Sequence, residues 1–345
     1  MTSANEIRNV KLCLLGFGHV TQRFCEIVAD RSQELAERHR LRLLVTAVGT
    51  GRHGSLTHSV GIPPGSVLER FHEGVPGFDG RQIAATTLIS ESGADVLVES
   101  TPLEHGGTAA ISHLECAFDS GLDVITVNKG PIAWAYERMR TYARERSRRL
   151  RFEGITMDGC PVYNLAEFCL PGDRITSFRG VLNSTTNYAL DAMATGATLD
   201  QAIGEAQAQG IAESDPSHDV EGHDAAAKVA ALANVLLGAD ITPDSVGRDS
   251  IRGLTPDDVS SVISEGRRLR VVCSAAITHD NRVAAQVSLE PLTRDDPLYS
   301  ISGTSSALIL QAELAGTIEI VERDGLLTQT AYAVYSDLLT LFVQR

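Results

Sequence analysis

No stretch of the chain is apolar for long enough to cross a bilayer. The first ten residues, MTSANEIRNV, lack the apolar segment of a secretory signal. The expected location is the cytoplasm, with no membrane partner. A basic surplus is missing too. The formal net charge is -14 at pH 7, which disfavours nucleic acid, whose phosphates demand a basic face. The six cysteines, at 13, 25, 116, 160, 169 and 273, form no C-x-x-C pair and fall in no His/Cys ligand spacing. They read as reduced thiols, and Cys13, inside an apolar run, as a core residue. There is no internal repeat and no low-complexity linker. What is present suits a globular protein: 43% hydrophobic and 21% charged residues, in a 345-residue chain long enough for two domains.

The first half alternates short apolar runs with helical spacing. Val10–Leu15 (VKLCLL) reads as a buried parallel strand. It leads into Gly16-Phe17-Gly18-His19-Val20-Thr21, and Gln22–Arg38 follows with helical spacing at Phe24, Ile27, Val28 and Leu35. Alone, Gly-x-Gly is a weak signal. Between a strand and a helix it marks a dinucleotide-binding turn. Gly16 permits the turn, and Gly18 lets a pyrophosphate approach the N–H groups of the helix start, where His19 and Val20 stand. Thr21 replaces the third glycine, so looser helix–strand packing is expected.

Leu41–Val48 is the second strand. An NAD-preferring fold carries an acid at its end for the ribose 2′-OH. Here the chain reads GTGRHGS instead. Arg52 and His53 are suited to a 2′-phosphate, so NADP(H) is expected over NAD(H). Residues 51–80 read as a polar excursion over the cofactor side. A helix at Arg81–Ser90, a strand at Val96–Val98, a helix at Ala109–Phe118 and a strand at Val124–Val127 follow. This alternation predicts an α/β fold: a doubly wound parallel sheet of the Rossmann type. Ligands of such sheets sit beyond the carboxyl ends of the strands, where Thr101 and Lys129 fall. Arg138–Arg151 alternates Arg and Glu like a solvated helix face.

The second half changes to a mixed α+β pattern. Arg174–Asn183 alternates like a half-buried strand, and Thr198–Gln209 reads as a helix with a capping box, Thr198 and Gln201. Val271–Ile277 and Val283–Leu289 are two strands joined by a turn at His279-Asp280-Asn281. Their sheet can pack against a second subunit, so a homodimer is expected. Asp219–Leu237 reads as one helix, rich in small residues and without charge from Lys228 to Asp240. Such a helix is buried on most sides. Asp224 and Lys228 lie four residues apart on one face. A solvated ion pair, contributing about 0.3–0.5 kcal/mol, is the plain alternative. On this helix a carboxylate–ammonium pair would be costly to desolvate and is a candidate for acid–base chemistry. Glu213 and Asp219, just upstream, could complete an acidic pocket for a substrate ammonium.

The stretch ESDPSHDVEGHDAAAKVAALANVLLG resembles the signature of homoserine dehydrogenases, close to D-P-x-x-D-(V/L)-x-G-x-D-x-A-x-K. Every fixed position is met: Asp215, Pro216, Asp219, Val220, Gly222, Asp224, Ala226 and Lys228. VLVESTP and TVNKGPIA resemble the family's two matching strand ends. This implies that Thr101 and Lys129 face the nicotinamide half of the cofactor and that Lys129 also nears the substrate. EGITMDGCP resembles the loop leading out of the family's nucleotide domain. The resemblance implies a monovalent cation such as Na+, held by Glu153 and by backbone carbonyls matching Thr156, Asp158 and Cys160, with oxygen ligands that suit a hard cation. Plain turn chemistry is the alternative there. In STTNYAL the resemblance puts Thr185 beside the substrate, with Ser184 where the family has glycine. The family's Gly-x-Gly-Ala-Gly loop is reduced to Glu322-Arg323-Asp324-Gly325-Leu326. Larger members carry a C-terminal ACT-type regulatory domain, for which this sequence has no residues, so remote inhibition by threonine is not expected.

The implied architecture is a nucleotide-binding domain of residues 1–152 and 312–345, with a mixed α+β catalytic and dimerisation domain of residues 153–311. The implied reaction is NAD(P)-dependent hydride transfer between L-homoserine and L-aspartate 4-semialdehyde. Lys228 would be the general acid or base. Glu213 would hold the substrate ammonium, and Asp224 would orient the substrate hydroxyl or a bridging water and keep Lys228 placed, with Asp219 supporting from behind. The rivals are a dehydrogenase of the same fold for a related amino-acid aldehyde or alcohol, and a non-catalytic nucleotide sensor.

Overall fold

The structure is a computed structural model that describes residues 6–74, 78 and 80–343. The chain divides into two units. The first comprises residues 1–131, 137–159 and 327–345, the second residues 132–136 and 160–326.

The first unit begins with β1 (Arg8–Leu15), α1 (His19–Asp30), α2 (Ser32–Arg38), β2 (Leu41–Gly49), β3 (Ser55–Ile62) and α3 (Pro64–Glu73). It continues with α4 (Ala85–Glu91), β4 (Val96–Glu99), α5 (Thr108–Asp119), β5 (Asp123–Thr126), α6 (Gly130–Glu145) and β6 (Leu150–Arg151). The sheet order is β3-β2-β1-β4-β5-β6. β1 pairs in parallel with β2 and β4, β4 with β5, and β5 with β6. This is the doubly wound parallel sheet expected. Leu12, Cys13 and Leu14 are fully buried, as they must be in a central strand covered on both faces. Burial pushes the Cys13 thiol up to about 12, so it is an inert core group.

Two local expectations need correction. The helix expected over 22–38 breaks at Arg31 (φ -101°, ψ 12°) into α1 and α2. The excursion expected over 51–80 contains β3, which pairs antiparallel with β2 at the sheet edge, and α3. Pro64 opens α3 and Gly74 (φ 63°) closes it. Residues 75–77 and 79 of that excursion lie outside the described residues.

The second unit contains α7 (Val162–Cys169), β7 (Ile175–Val181), α8 (Ser184–Met193), α9 (Leu199–Ala208), α10 (Ser217–Val220) and α11 (His223–Leu236). β8 (Gly247–Arg248), α12 (Pro256–Ser264), β9 (Arg268–Ile277), β10 (Val283–Leu292), β11 (Ser306–Ala312) and β12 (Gly316–Glu322) follow. The sheet order is β12-β11-β7-β9-β10-β8, antiparallel except for β8 against β10. Helices α8, α11 and α12 lie against β9, and α11 also against β10. The capping box at Thr198 and Gln201 is present.

The chain returns to the first unit later than residue 312. β12 is the hairpin partner of β11 in the second sheet, and the return begins with α13 (Leu327–Phe342). Val334, Leu338 and Leu341 of α13 join Val10, Leu12, Leu14, Phe24 and Val28 in one apolar cluster.

Candidate active site

A carboxylate–lysine cluster of the second unit is assembled by a helix cap and a helix break. Asn183 is the N-cap of α8, and its Oδ1 accepts a hydrogen bond from the Thr186 N–H at 2.9 Å. Its Nδ2 donates to Asp219 Oδ1 at 2.7 Å and to Asp224 Oδ2 at 3.1 Å. These two carboxylates come together because the helix expected over 219–237 is not continuous. Gly222 adopts φ 76°, ending α10 and starting α11. A Cβ there would lie 2.9 Å from the Asp249 carbonyl oxygen, so both backbone conformation and space require glycine. The Val220 carbonyl at the break accepts from Ile251 N at 3.1 Å and Ser250 Oγ at 2.9 Å.

Lys228 stands one turn beyond Asp224 on α11. Its Nζ lies 3.3 Å from Asp224 Oδ2 and donates to the Leu182 carbonyl at 2.6 Å. The two side chains are only 15% and 16% exposed, so this is not a solvated surface pair. The helix expected to be buried on most sides is so: Ala225, Ala226, Ala227, Val229, Ala230 and Ala231 are all buried. Cys273 of β9 is fully buried near Lys228 and Asp224, and burial pushes its thiol up to about 12. The Asp219 carboxyl is raised above the ordinary range, first by burial and then by the charge of Asp224. Hydrogen bonds from Asn183 and Thr185 and the Lys228 ammonium oppose that rise. Thr185 is thus buried against Asp219. Glu213 is exposed in the loop before α10, its backbone carbonyl accepting from Gln207 Nε2 at 2.9 Å. Its side chain stands outside the hydrogen-bonded group of Asn183, Asp219, Asp224 and Lys228.

The first unit supplies a dinucleotide turn. Gly16 has φ 89°, and a Cβ there would lie 2.5 Å from the Ser100 carbonyl oxygen. Gly18 is the N-cap of α1, and a Cβ on it would meet nothing within 4 Å. No side chain caps this helix and no acid stands in its first turn, where His19 is exposed and Val20 half-buried. A helix start left open in this way fits the pyrophosphate of a dinucleotide. Thr21 does not loosen the packing as expected. Its side chain is buried, and its hydroxyl shares a 2.6 Å hydrogen bond with Ser100, tying α1 to the end of β4. Arg52 is exposed in the turn after β2, which is closed by Thr50 N and Oγ1 on the Gly54 carbonyl at 3.1 and 2.9 Å. The His53 ring meets the Phe71 ring edge-on at 5.1 Å.

Thr101 and Lys129 fall just past β4 and β5, and residues that sequence reasoning missed hold those ends. The fully buried Glu99 carboxylate accepts from Thr101 N at 3.2 Å, from Thr101 Oγ1, and from Thr126 Oγ1 at 3.0 Å. Asn128 Nδ2 donates to the Thr101 and Pro102 carbonyls at 3.0 and 3.2 Å, and its Oδ1 accepts from Gly130 N at 2.9 Å. Lys129, between them, is the N-cap of α6. Asn183 was missed in the same way. The signal available was its type, a good N-cap residue before a helix.

In the loop expected to bind a cation, Glu153 and Thr156 are buried, and the Glu153 N–H donates to Asp337 Oδ2 at 2.8 Å. Asp158 (φ 43°) accepts from Thr330 Oγ1 at 2.8 Å. Cys160 falls in the second unit, where its carbonyl accepts from Val162 N at 2.9 Å. Among the described residues, no group of three or more His, Cys, Asp and Glu side chains is placed to hold a metal ion.

A doubly wound sheet with an open dinucleotide turn, together with a half-buried lysine–carboxylate pair, defines an NAD(P)-dependent oxidoreductase. Residues 161–339 match the sequence profile of the family described as homoserine dehydrogenase. An NAD(+)-dependent homoserine dehydrogenase of Pseudomonas canavaninivorans is 34% identical over 336 residues, 95% of each chain. The crystal structure of homoserine dehydrogenase from Thermoplasma acidophilum is similar with a TM-score of 0.83 at 25% identity, over 97% of this chain and 99% of that one. A hyperthermophilic archaeal homoserine dehydrogenase in complex with NADPH is similar with a TM-score of 0.80 at 25% identity, over 98% and 99% of the two chains. The chain belongs to the homoserine dehydrogenase family.

Proposed function

We propose that Lys228 is the general acid–base of this enzyme and Asp224 its partner. The reaction is that of the family, the reversible NAD(P)-dependent conversion of L-aspartate 4-semialdehyde to L-homoserine. The observation that carries the assignment is the half-buried position of the Lys228 ammonium, held between Asp224 and the Leu182 carbonyl. When bound, the nicotinamide cofactor supplies or accepts the hydride. In the reductive direction Lys228 gives its proton to the substrate oxygen as charge develops there. In the oxidative direction the neutral amine takes the hydroxyl proton. Asp224 keeps Lys228 placed and orients the substrate hydroxyl. Glu213 binds the substrate ammonium, its exposed side chain being free of the Asn183 group. Asp219 and Thr185 support that group from behind, and Lys129 and Thr101 serve the nicotinamide side.

The test is a spectrophotometric assay with homoserine and each cofactor. Lys228→Ala lowers kcat by roughly 10²–10⁴-fold, the usual worth of a placed proton donor. Asp224→Ala lowers kcat, and Glu213→Ala raises KM for homoserine. A plain ion pair would lose some thermal midpoint and keep its turnover, so a folded Lys228→Ala protein with near wild-type kcat overturns the assignment.

NADP(H) is the preferred cofactor in this reading, because no acid follows β2 and Arg52 is exposed there. One relative is named NAD(+)-dependent and another holds NADPH, so the reading rests on this chain's own turn. Glu153 and the carbonyls of Thr156 and Asp158 offer oxygen ligands of the kind a monovalent cation takes. A homodimer is supported by the outer face of the second sheet. There Ser177, Arg179, Ser274, Ala276, Ala284 and Gln286 line a groove of about 470 Å³. In this reading the protein works in the cytoplasm on a small-molecule substrate, with neither nucleic acid nor membrane as a partner. No helix among the described residues is long and apolar enough to cross a membrane.

A further inference from the structure

Asn183 does more than its helix requires. As the N-cap of α8 it needs only one acceptor, and Ser, Thr or Asp would cap as well. Its Oδ1 serves the cap, on the Thr186 N–H at 2.9 Å. That bond fixes which way the amide faces, because the NH2 group cannot accept from a backbone N–H. The nitrogen then points at the carboxylates. It has two protons, and its bonds go to different acids: Asp219 Oδ1 at 2.7 Å and Asp224 Oδ2 at 3.1 Å. Serine would offer one proton on a shorter arm. Aspartate would offer none and add a third negative charge. Among the good caps, only asparagine caps the helix and donates to both acids.

The joint matters because like charges repel when partly desolvated. Asp219 comes from α10 and Asp224 from α11, on either side of the break at Gly222. Lys228 of α11 faces them both, Thr185 of α8 faces Asp219, and the Cys273 thiol of β9 faces Asp224 and Lys228. Lys228 reaches the same Asp224 oxygen that Asn183 does, at 3.3 Å. The amide therefore sets where that oxygen can be.

We propose that Asn183 is a positioning residue of the reaction, an amide clamp that holds Asp219 and Asp224 together so that Asp224 stays aimed at Lys228. The inference rests on the acid–base assignment of Lys228 and Asp224, and Asn183 acts through those side chains, by its bonds to Asp219 and Asp224.

The experiment compares Asn183→Ser, Asn183→Asp and Lys228→Ala with wild type in the full-length protein. It reads kcat, both KM values, the thermal midpoint and the pH profile of kcat/KM. Asn183→Ser keeps the cap, so it stays folded at the assay temperature, its midpoint lowered only by the bond to the acids that it loses. Its kcat falls roughly 10- to 100-fold, the change that losing a hydrogen bond to a charged group carries. KM for the cofactor does not move. The acid limb of its profile shifts to higher pH, because Asp219 then has one donor fewer. Asn183→Asp is poorest at high pH and recovers as pH falls, when a proton on the introduced carboxyl restores a donor between the acids. Either variant folded with wild-type kcat and pH profile overturns the clamp. So does a loss of activity only in proportion to the fraction unfolded, which marks a purely structural cap. If Lys228→Ala is inactive while both Asn183 variants are fully active, the clamp alone fails. If Lys228→Ala is fully active, the acid–base assignment fails first.

Discussion

Asp191→Asn should destabilise the second unit without touching its chemistry. Asp191, on α8, accepts at Oδ1 from Arg268 Nη2 at 2.7 Å and Arg270 Nη2 at 2.6 Å, and at Oδ2 from the Gly303 N–H at 3.0 Å. Arg270 is 1% exposed and gives two further donors to the Ile301 and Leu269 carbonyls, both at 2.9 Å. Burial pulls its guanidinium below the ordinary value, and Asp191 works against that pull. Removing the carboxylate leaves two cations together, one with no access to water. Breaking a buried pair in this way costs about 3–5 kcal/mol. The side chains of Asp191 and Arg268 are 22% and 28% exposed, so the lower end, about 3 kcal/mol, is expected. For a unit of this size each kcal/mol is about 2–4 °C, so its midpoint should fall by roughly 6–12 °C. Scanning calorimetry is the assay, since two units need not melt as one. Adding Arg270→Met removes the stranded cation, and the double variant should melt above Asp191→Asn alone. Turnover measured well below the midpoint should stay near wild type. An Asp191→Asn midpoint within about 1 °C of wild type, well short of the shift expected for a lost buried pair, would refute the reasoning. So would a double variant in which the two losses simply add.

Three further outcomes follow from single positions. Gly222→Ala meets a strained φ and the Asp249 carbonyl, so it should lose about 1–3 kcal/mol and also kcat, as Asp224 is displaced; an unchanged kcat would show that the break does not place Asp224. The Asp219 carboxyl is raised in the folded protein, mainly by burial, so the folded chain binds that proton more tightly than the unfolded chain. This contribution to stability therefore declines as pH rises from the ordinary carboxyl range through the raised value. Asp219→Asn should gain thermal midpoint over wild type at neutral pH, lose that gain in acid, and lose kcat throughout; a gain independent of pH would contradict this. Arg52→Asp should reverse or erase a preference for NADP(H), and an unchanged ratio of kcat/KM for the two cofactors would exclude Arg52 as the reader.

The parallel sheet was legible because its central strands are buried on both faces and carry unbroken apolar runs, as in Leu12–Leu15. β3 was not, because an edge strand covered on one side can stay polar: only Ser55, Leu56 and Ile62 are buried along it. The break at Gly222 was hidden by composition, since an Ala-rich run around one glycine reads as continuous helix. The side chains of the site were legible where their spacing is local, as with Asp224 and Lys228. They were not where partners lie far apart in the chain. Glu99 meets Thr126 from 27 residues away, and Asn183 meets Asp219 and Asp224 from 36 and 41. Periodicity carries no record of such pairings, whereas cap chemistry marks Asn183 as special without saying for what.

The small residues of α11 have a reason that the two acids supply. A lysine on a loop would have to be ordered at each turnover, and Lys228 carries a flexible four-carbon stem. Ala225, Ala226, Ala227, Ala230 and Ala231 let α11 seat closely against β9 and β10, so the base of that stem is fixed by packing. The tip is then fixed by the Leu182 carbonyl, which belongs to the residue next to Asn183. One chain segment, 182–183, thus holds the ammonium with a carbonyl and the acids with an amide. The same two residues link the end of β7 at Val181 to the start of α8 at Ser184, so sheet and helix both brace them. A group of like charges that burial disfavours persists more readily where the backbone around it is held this firmly, and in the proposed mechanism that firmness would place the proton donor within reach of a substrate oxygen.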